Sequence, residues 1–120
     1  MKKLPNLKPL YQATGKVLIT VRNQTFFSNK FSKAIYTYNL KKTDKVAALF
    51  LKMAQTLMVD ETMFNNTENK PEGFNIFMWV DDTVKGTKMV ALDGNKTLAD
   101  YQIDKNSELF LKYRCRGSKY

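Results

Sequence analysis

Apolar and polar side chains alternate from residue 16 to residue 23: Val17, Ile19 and Val21 face one way, Lys16, Leu18, Thr20 and Arg22 the other. A period of two predicts a strand with one buried face. A second strand is predicted over 33–40, with Tyr36, Tyr38 and Leu40 inward and Ile35, Thr37 and Asn39 outward. The polar and aromatic stretch 23–32 between them reads as a long hairpin loop carrying Phe26, Phe27, Lys30 and Phe31. The period then changes. Val46, Leu49, Phe50, Met53 and Leu57 recur at helical spacing, which predicts a helix over 45–58 capped by Thr43 or Asp44. Lys45, Ala48 and Lys52 fall on another, solvent-facing side of that helix.

The second half repeats the alternation of elements. Residues 59–73 are acidic, Asn-rich and interrupted by Pro71, and read as a loop; 74–80 is an apolar run expected to be a central strand. Residues 81–88 turn through Gly86, and 89–92 forms a short strand. Leu98, Tyr101 and Ile103 have the spacing of a short helical turn after an Asp93-Gly94 turn. Leu109, Leu111 and Tyr113 then alternate with Phe110, Lys112 and Arg114 in a final strand. The order is ββαββ, a short helix, then β. The expected fold is α+β, a mixed sheet packed on one main helix. Its core is expected to hold Val17, Ile19, Tyr36, Val46, Leu49, Met53, Leu98, Tyr101, Leu109 and Leu111, with Trp79 and the methionines as filler. Residues 1–14, with Pro5, Pro9 and no periodicity, are expected to be a flexible basic tail; 15–117 form one domain, and 118–120 a short tail.

Charge changes this picture more than composition does. The chain carries +9, and residues 1–42 hold nine basic side chains and not one Asp or Glu. Residues 43–120 hold eleven of each sign, so the whole excess belongs to the first third. A one-signed field over one surface suits an acidic partner. Catalytic chemistry finds little support. No His is present to act as a general base. Cys115 lies between Arg114 and Arg116, which should lower its thiol pKa, but it has no nearby base partner. Asp81-Asp82 lacks a third ligand and reads as a solvated turn. A lone cysteine excludes an internal disulfide and a zinc cluster, and no apolar run reaches the ~18 residues of a membrane span. The chain is expected to be a non-enzyme with no cofactor and no metal, monomeric as an isolated domain.

The run Lys96-Thr97-Leu98-Ala99-Asp100-Tyr101-Gln102-Ile103, followed by Ser107-Glu108-Leu109-Phe110-Leu111, resembles the closing segment of the ubiquitin fold, a β-grasp. The conjugating diglycine of ubiquitin-type modifiers has no match in Arg114-Cys115-Arg116-Gly117-Ser118-Lys119-Tyr120, so a binding module is expected rather than a modifier. Phe74-Asn75-Ile76-Phe77, Lys85-Gly86, Leu92, Lys96, Leu98, Tyr101, Ile103 and the basic last strand further resemble the extra ubiquitin-like lobe that precedes the FERM lobes of talins. The match runs in order over most of 16–116 and rests mainly on core positions. The tail before Lys16 and the loop 23–32 are longer than in that lobe.

That resemblance implies binding of a Rap- or Ras-family small GTPase in its GTP form, as Ras-association domains do, with the second strand pairing with the acidic switch region. The residues so implicated are Lys16, Arg22, Lys33, Ile35, Thr37, Lys41, Lys42, Lys45 and Lys52. It also implies a place in a talin-like adhesion and cytoskeleton linker, in the cytoplasm at the inner face of the plasma membrane. Two alternatives stand beside it. Phe26, Phe27, Lys30 and Phe31, with the basic tail, suit an anionic (phosphoinositide) membrane surface, where each basic residue contributes ~1 kcal/mol. A ubiquitin-like interaction or modifier domain with another partner is the second. Nucleic acid is disfavoured despite the pI of 9.7, because no RNA-binding aromatic motif or zinc pattern accompanies the charge.

Overall fold

The computed structural model describes residues 16–25, 33–64, 73–82, 84 and 86–114. β1 (Lys16–Asn23) and β2 (Ile35–Lys41) form an antiparallel hairpin in which Val21 opposes Tyr36, Ile19 opposes Tyr38 and Val17 opposes Leu40. These pairs share the inner face, as the alternation requires. α1 (Val46–Leu57) follows, then β3 (Gly73–Asp82), β4 (Gly86–Ala91) and β5 (Leu109–Arg114), with single 3-10 turns at Glu61–Met63 and Ala99–Tyr101. The sheet order is β2-β1-β5-β3-β4, parallel only between β1 and β5. This is the expected ubiquitin-like β-grasp: a mixed sheet with one main helix across one face.

The helix stripe predicted from spacing is the buried one. Val46, Leu49, Phe50, Met53 and Leu57 pack with Ile19, Val21, Leu98, Ile103, Leu109 and Leu111 in one core. An aromatic run extends that core to one side, with ring centroids 5.5 Å apart for Phe50 and Phe64, 5.1 Å for Phe64 and Phe74, and 4.8 Å for Phe74 and Tyr113. Phe64 enters the core from the stretch expected to be a plain loop, held by a parallel bridge to Phe74 and by the 3-10 turn that Asp60 caps through Thr62.

Several boundaries and roles differ from the sequence expectation. β2 begins at Ile35 rather than at 33: Asn23 N–H still donates to Ala34 O (2.9 Å), but the Lys33 backbone is taken by side chains, its carbonyl accepting from the Asn23 amide (2.9 Å) and its N–H donating to Tyr36 hydroxyl. β3 extends one residue before and two residues after its predicted span and β4 starts at Gly86, so the hairpin they form is longer than alternation suggested. Gly86, at φ 86°, occupies the left-handed region at the start of β4. The central strand is β5; β3 lies between it and β4. Trp79 is not core filler but 51% exposed, and Met58 is exposed at the helix end. Val17 and Tyr101, both expected in the core, are only half-buried and pack against it. Phe110 is 7% exposed although it points to the outer face, opposite Phe77 and Arg22. The expected tails and the loop carrying Phe26, Phe27, Lys30 and Phe31 lie outside the described residues, as does Cys115.

The cap also differs. Neither Thr43 nor Asp44 caps α1; Lys45 holds that position with no side-chain bond, and the Asp44 carboxylate accepts from Lys41 N–H (2.9 Å). The first helical donors go instead to a distant turn: Val46 N–H to Lys96 O (2.8 Å) and Ala47 N–H to Gly94 O (3.0 Å). Four orphan N–H groups open any helix, and tertiary carbonyls satisfy them as well as a side chain does.

Leu49, wholly buried at the middle of the stripe, is the most direct probe of this core. Replacing it with Ala should cost about 2–5 kcal/mol in a urea unfolding experiment. A loss below about 1 kcal/mol would mean that the helix face is packed far more loosely than its burial implies.

Candidate functional site

β2 is an edge strand. β1 covers one side of it, and among the described residues no strand covers the other. The outward N–H and C=O groups of such an edge are a template for an added strand. The outward side chains Ile35 and Thr37 are exposed on its solvent face, Ile35 at 46%. Between the edge and α1 lies a groove of about 200 Å³, lined by Lys33, Ile35, Tyr36, Thr37, Tyr38 and Thr56.

The groove wall is tied by a short relay. Tyr38 hydroxyl donates to Thr56 Oγ1 (2.8 Å), with Met53 Sδ 3.4 Å away, and Thr56 donates to Lys52 O (2.9 Å). At the other end Lys33 N–H donates to Tyr36 hydroxyl (2.7 Å), so the backbone entering β2 is pinned to a buried ring. Burial pushes the Tyr38 phenol above its ordinary value of 10.0, the Thr56 bond working in the opposite direction.

The structure gathers some of the implicated cations and separates others. Lys16 and Lys41 oppose each other at one end of the β1–β2 hairpin, next to Lys42 and Lys45 in the connection to α1. Lys33 stands at the far end of β2, about 25 Å away along an extended chain. Lys52 lies one helical turn before Thr56, hence on the side of α1 that borders the groove. Lys33, Lys41, Lys42, Lys45 and Lys52 are all exposed. Arg22 differs from these. It sits on an interior strand, on the outer sheet face, with Glu108 carboxylate oxygen 4.0 Å from its Nε. Asp44 is the acid nearest the cluster in sequence, and its carboxylate is engaged with Lys41 N–H. The groove itself had no sequence signal, since it arises from where α1 crosses the sheet.

Among the described residues no three Cys, Asp or Glu side chains gather as a metal-binding group, and no helix is long and apolar enough to cross a membrane. Neither a family model nor a curated protein matches the sequence. Solved structures do match its fold. The C-terminal ubiquitin-like domain of mouse tubulin-specific chaperone e superposes with a TM-score of 0.55 at 12% identity, over 87% of this chain and 92% of that one. A ubiquitin-like domain from Arabidopsis thaliana superposes with a TM-score of 0.52 at 17% identity, over 88% of this chain and 84% of that one. At such identities the likeness is one of fold.

Tyr38 gives the groove a measurable signature. Because its folded pKa is raised, its contribution to stability is intact below the unfolded value of 10.0 and is lost as pH rises through the folded one. Difference spectra of the wild type against Tyr38→Phe should show one phenol titrating above pH 10.0. Tyr38→Phe should also cost about 0.5–1.5 kcal/mol at neutral pH, the worth of one hydrogen bond. A difference spectrum centred below pH 10.0 would contradict the buried relay.

Proposed function

We propose that this chain is a non-catalytic protein-interaction module that recruits a Rap- or Ras-family small GTPase through the edge of β2. The observation that carries the reading is the open edge itself, flanked by five exposed lysines, Lys33, Lys41, Lys42, Lys45 and Lys52. An acidic strand laid antiparallel on β2 gains main-chain hydrogen bonds, and its carboxylates meet cations at both ends and along α1. Ile35 and Thr37 then offer an apolar and a small polar contact between the charged ends. The ubiquitin-like fold of the structural neighbours agrees with an interaction role, and the likeness to the talin lobe supplies the GTPase. Under the same likeness the module works within an adhesion and cytoskeleton linker at the inner face of the plasma membrane.

Charge complementarity at an exposed rim acts mostly on encounter rate and register. An interface of this extent buries about 1,200 Å² in total and gives a transient complex of roughly micromolar affinity. Stronger attachment then comes from avidity, with a membrane-anchored GTPase and neighbouring lobes holding the module nearby.

The double reversal Lys33→Glu with Lys52→Glu should weaken binding to a GTP-analogue-loaded Rap-type GTPase by about tenfold or more, largely through the on-rate, with affinity falling as salt rises. Reversal of Lys88 or Lys96, in the charge-balanced part of the chain, should change binding by less than about threefold. Retention of full affinity by a folded double variant overturns the reading.

A further inference from the structure

The opposite side of the sheet carries a second opening of different character. β5 pairs with β3 only as far as Met78, opposite Leu109. Beyond that point β3 continues through Trp79 and Asp81 with β4 on one side and, among the described residues, no strand on the other. The 3-10 turn Ala99–Tyr101 runs past this uncovered edge. Between the two lies a cleft of about 550 Å³, lined by Trp79, Val80, Asp81, Asp100, Tyr101 and Gln102.

Its far wall is rigid. Tyr101 hydroxyl accepts from Asp93 N–H (2.8 Å), and Gln102 closes the turn in the left-handed conformation at φ 57°. The Asp100 carboxylate accepts from Thr97 N–H (2.9 Å) while Thr97 Oγ1 accepts from Asp100 N–H (3.1 Å), a reciprocal pair that fixes its direction. The Thr97 bonds hold that carboxyl below the ordinary carboxylate range. The near wall offers the only tryptophan of the chain, half-exposed, and the exposed Asp81.

We infer that this cleft receives an arginine side chain from an extended basic segment of a partner protein, the segment lying along the uncovered edge of β3. Three features select that occupant. The half-exposed indole of Trp79 attracts a cation over its face, and a guanidinium stacks on it better than an ammonium does. Each wall brings one carboxylate, Asp81 or Asp100, as an acceptor for its N–H donors. The open strand edge supplies main-chain bonds to the residues on either side of it. Two of the chain's own cations lie by these walls: Lys96 Nζ stands 5.6 Å from the Tyr101 ring centroid, and Lys88 is opposite Val80 on β4. Lys96 already stands over the Tyr101 ring, which leaves the exposed indole as the face offered to an incoming arginine. This site uses the edge opposite β2 and stands whether or not a GTPase binds there.

The test is an NMR titration of the labelled protein with the blocked peptide Ac-Gly-Arg-Gly-NH2 and its citrulline counterpart, which keeps the size and removes the charge. The arginine peptide should move the single indole resonance of Trp79 and the amides of Asp81, Asp100 and Gln102. The citrulline peptide should bind at least about fivefold more weakly, and Asp81→Asn should weaken the arginine peptide about three- to fivefold while leaving the citrulline one unchanged. Equal shifts with both peptides, shifts centred on other residues, or an unmoved indole at tens of millimolar peptide would overturn the assignment. The peptide comparison needs no variant, so an unfolded Asp81→Asn would not decide the matter.

Discussion

The segment 42–47 and the segment 94–99 hold each other by backbone alone, and both outward-facing surfaces depend on that grip. Val46 and Ala47 donate to Lys96 and Gly94 carbonyls, while Leu98 and Ala99 donate back to Asp44 (3.0 Å) and Lys42 (2.9 Å). An antiparallel bridge between Lys45 and Thr97 lies in the middle. The exchange satisfies the first helix donors, which no side chain reaches. It also sets where α1 starts above the sheet, and so fixes Lys42, Lys45 and, along the helix, Lys52 relative to β2. On the other strand of the clamp it places Leu98 in the core and the Ala99–Tyr101 turn against β3. One set of four hydrogen bonds thus positions the basic edge and the aromatic cleft together.

That clamp explains what sequence reading reaches and what escapes it. Side-chain periodicity records which face is buried, so the strands, the helix stripe and the Leu98–Ile103 turn were all legible in the chain. Backbone carbonyls belong to every residue and leave no mark in the sequence. Thr43 and Asp44 therefore look like caps, although the donors they were expected to satisfy are met by Gly94 and Lys96. Phe64 was lost for a related reason: a single aromatic in a polar stretch has no period, and only its bridge to Phe74 reveals it as core. Trp79 failed in the opposite direction. Its apolar neighbours suggested burial, but β5 ends its pairing one residue earlier, and the indole is left beside an open cleft.

Charge was the clearest functional signal, and the topology gives it a direction. The first two strands, whose charged residues are all basic, form one side of the sheet, and the β3–β4 hairpin with Asp81 forms the other. A molecule with net charge +9 therefore presents distinct electrostatic faces rather than a uniform basic surface. The sites implied by family resemblance fared unevenly against this geometry. Lys33 and Lys52 border the groove beside β2, and Lys41, Lys42 and Lys45 cluster at the opposite end of that strand from Lys33. Arg22 is set apart on the outer sheet face near Glu108.

Chemical-shift mapping tests, without any mutation, whether the β2 edge is the surface a GTPase meets. A labelled sample titrated with a Rap-type GTPase carrying a GTP analogue should show its shifts concentrated in β2, in the 41–45 connection and around Lys52, with much smaller changes when the GTPase carries GDP. Shifts centred on β3, β4 or the Ala99–Tyr101 turn, or an unperturbed spectrum with the GTP form, would contradict it.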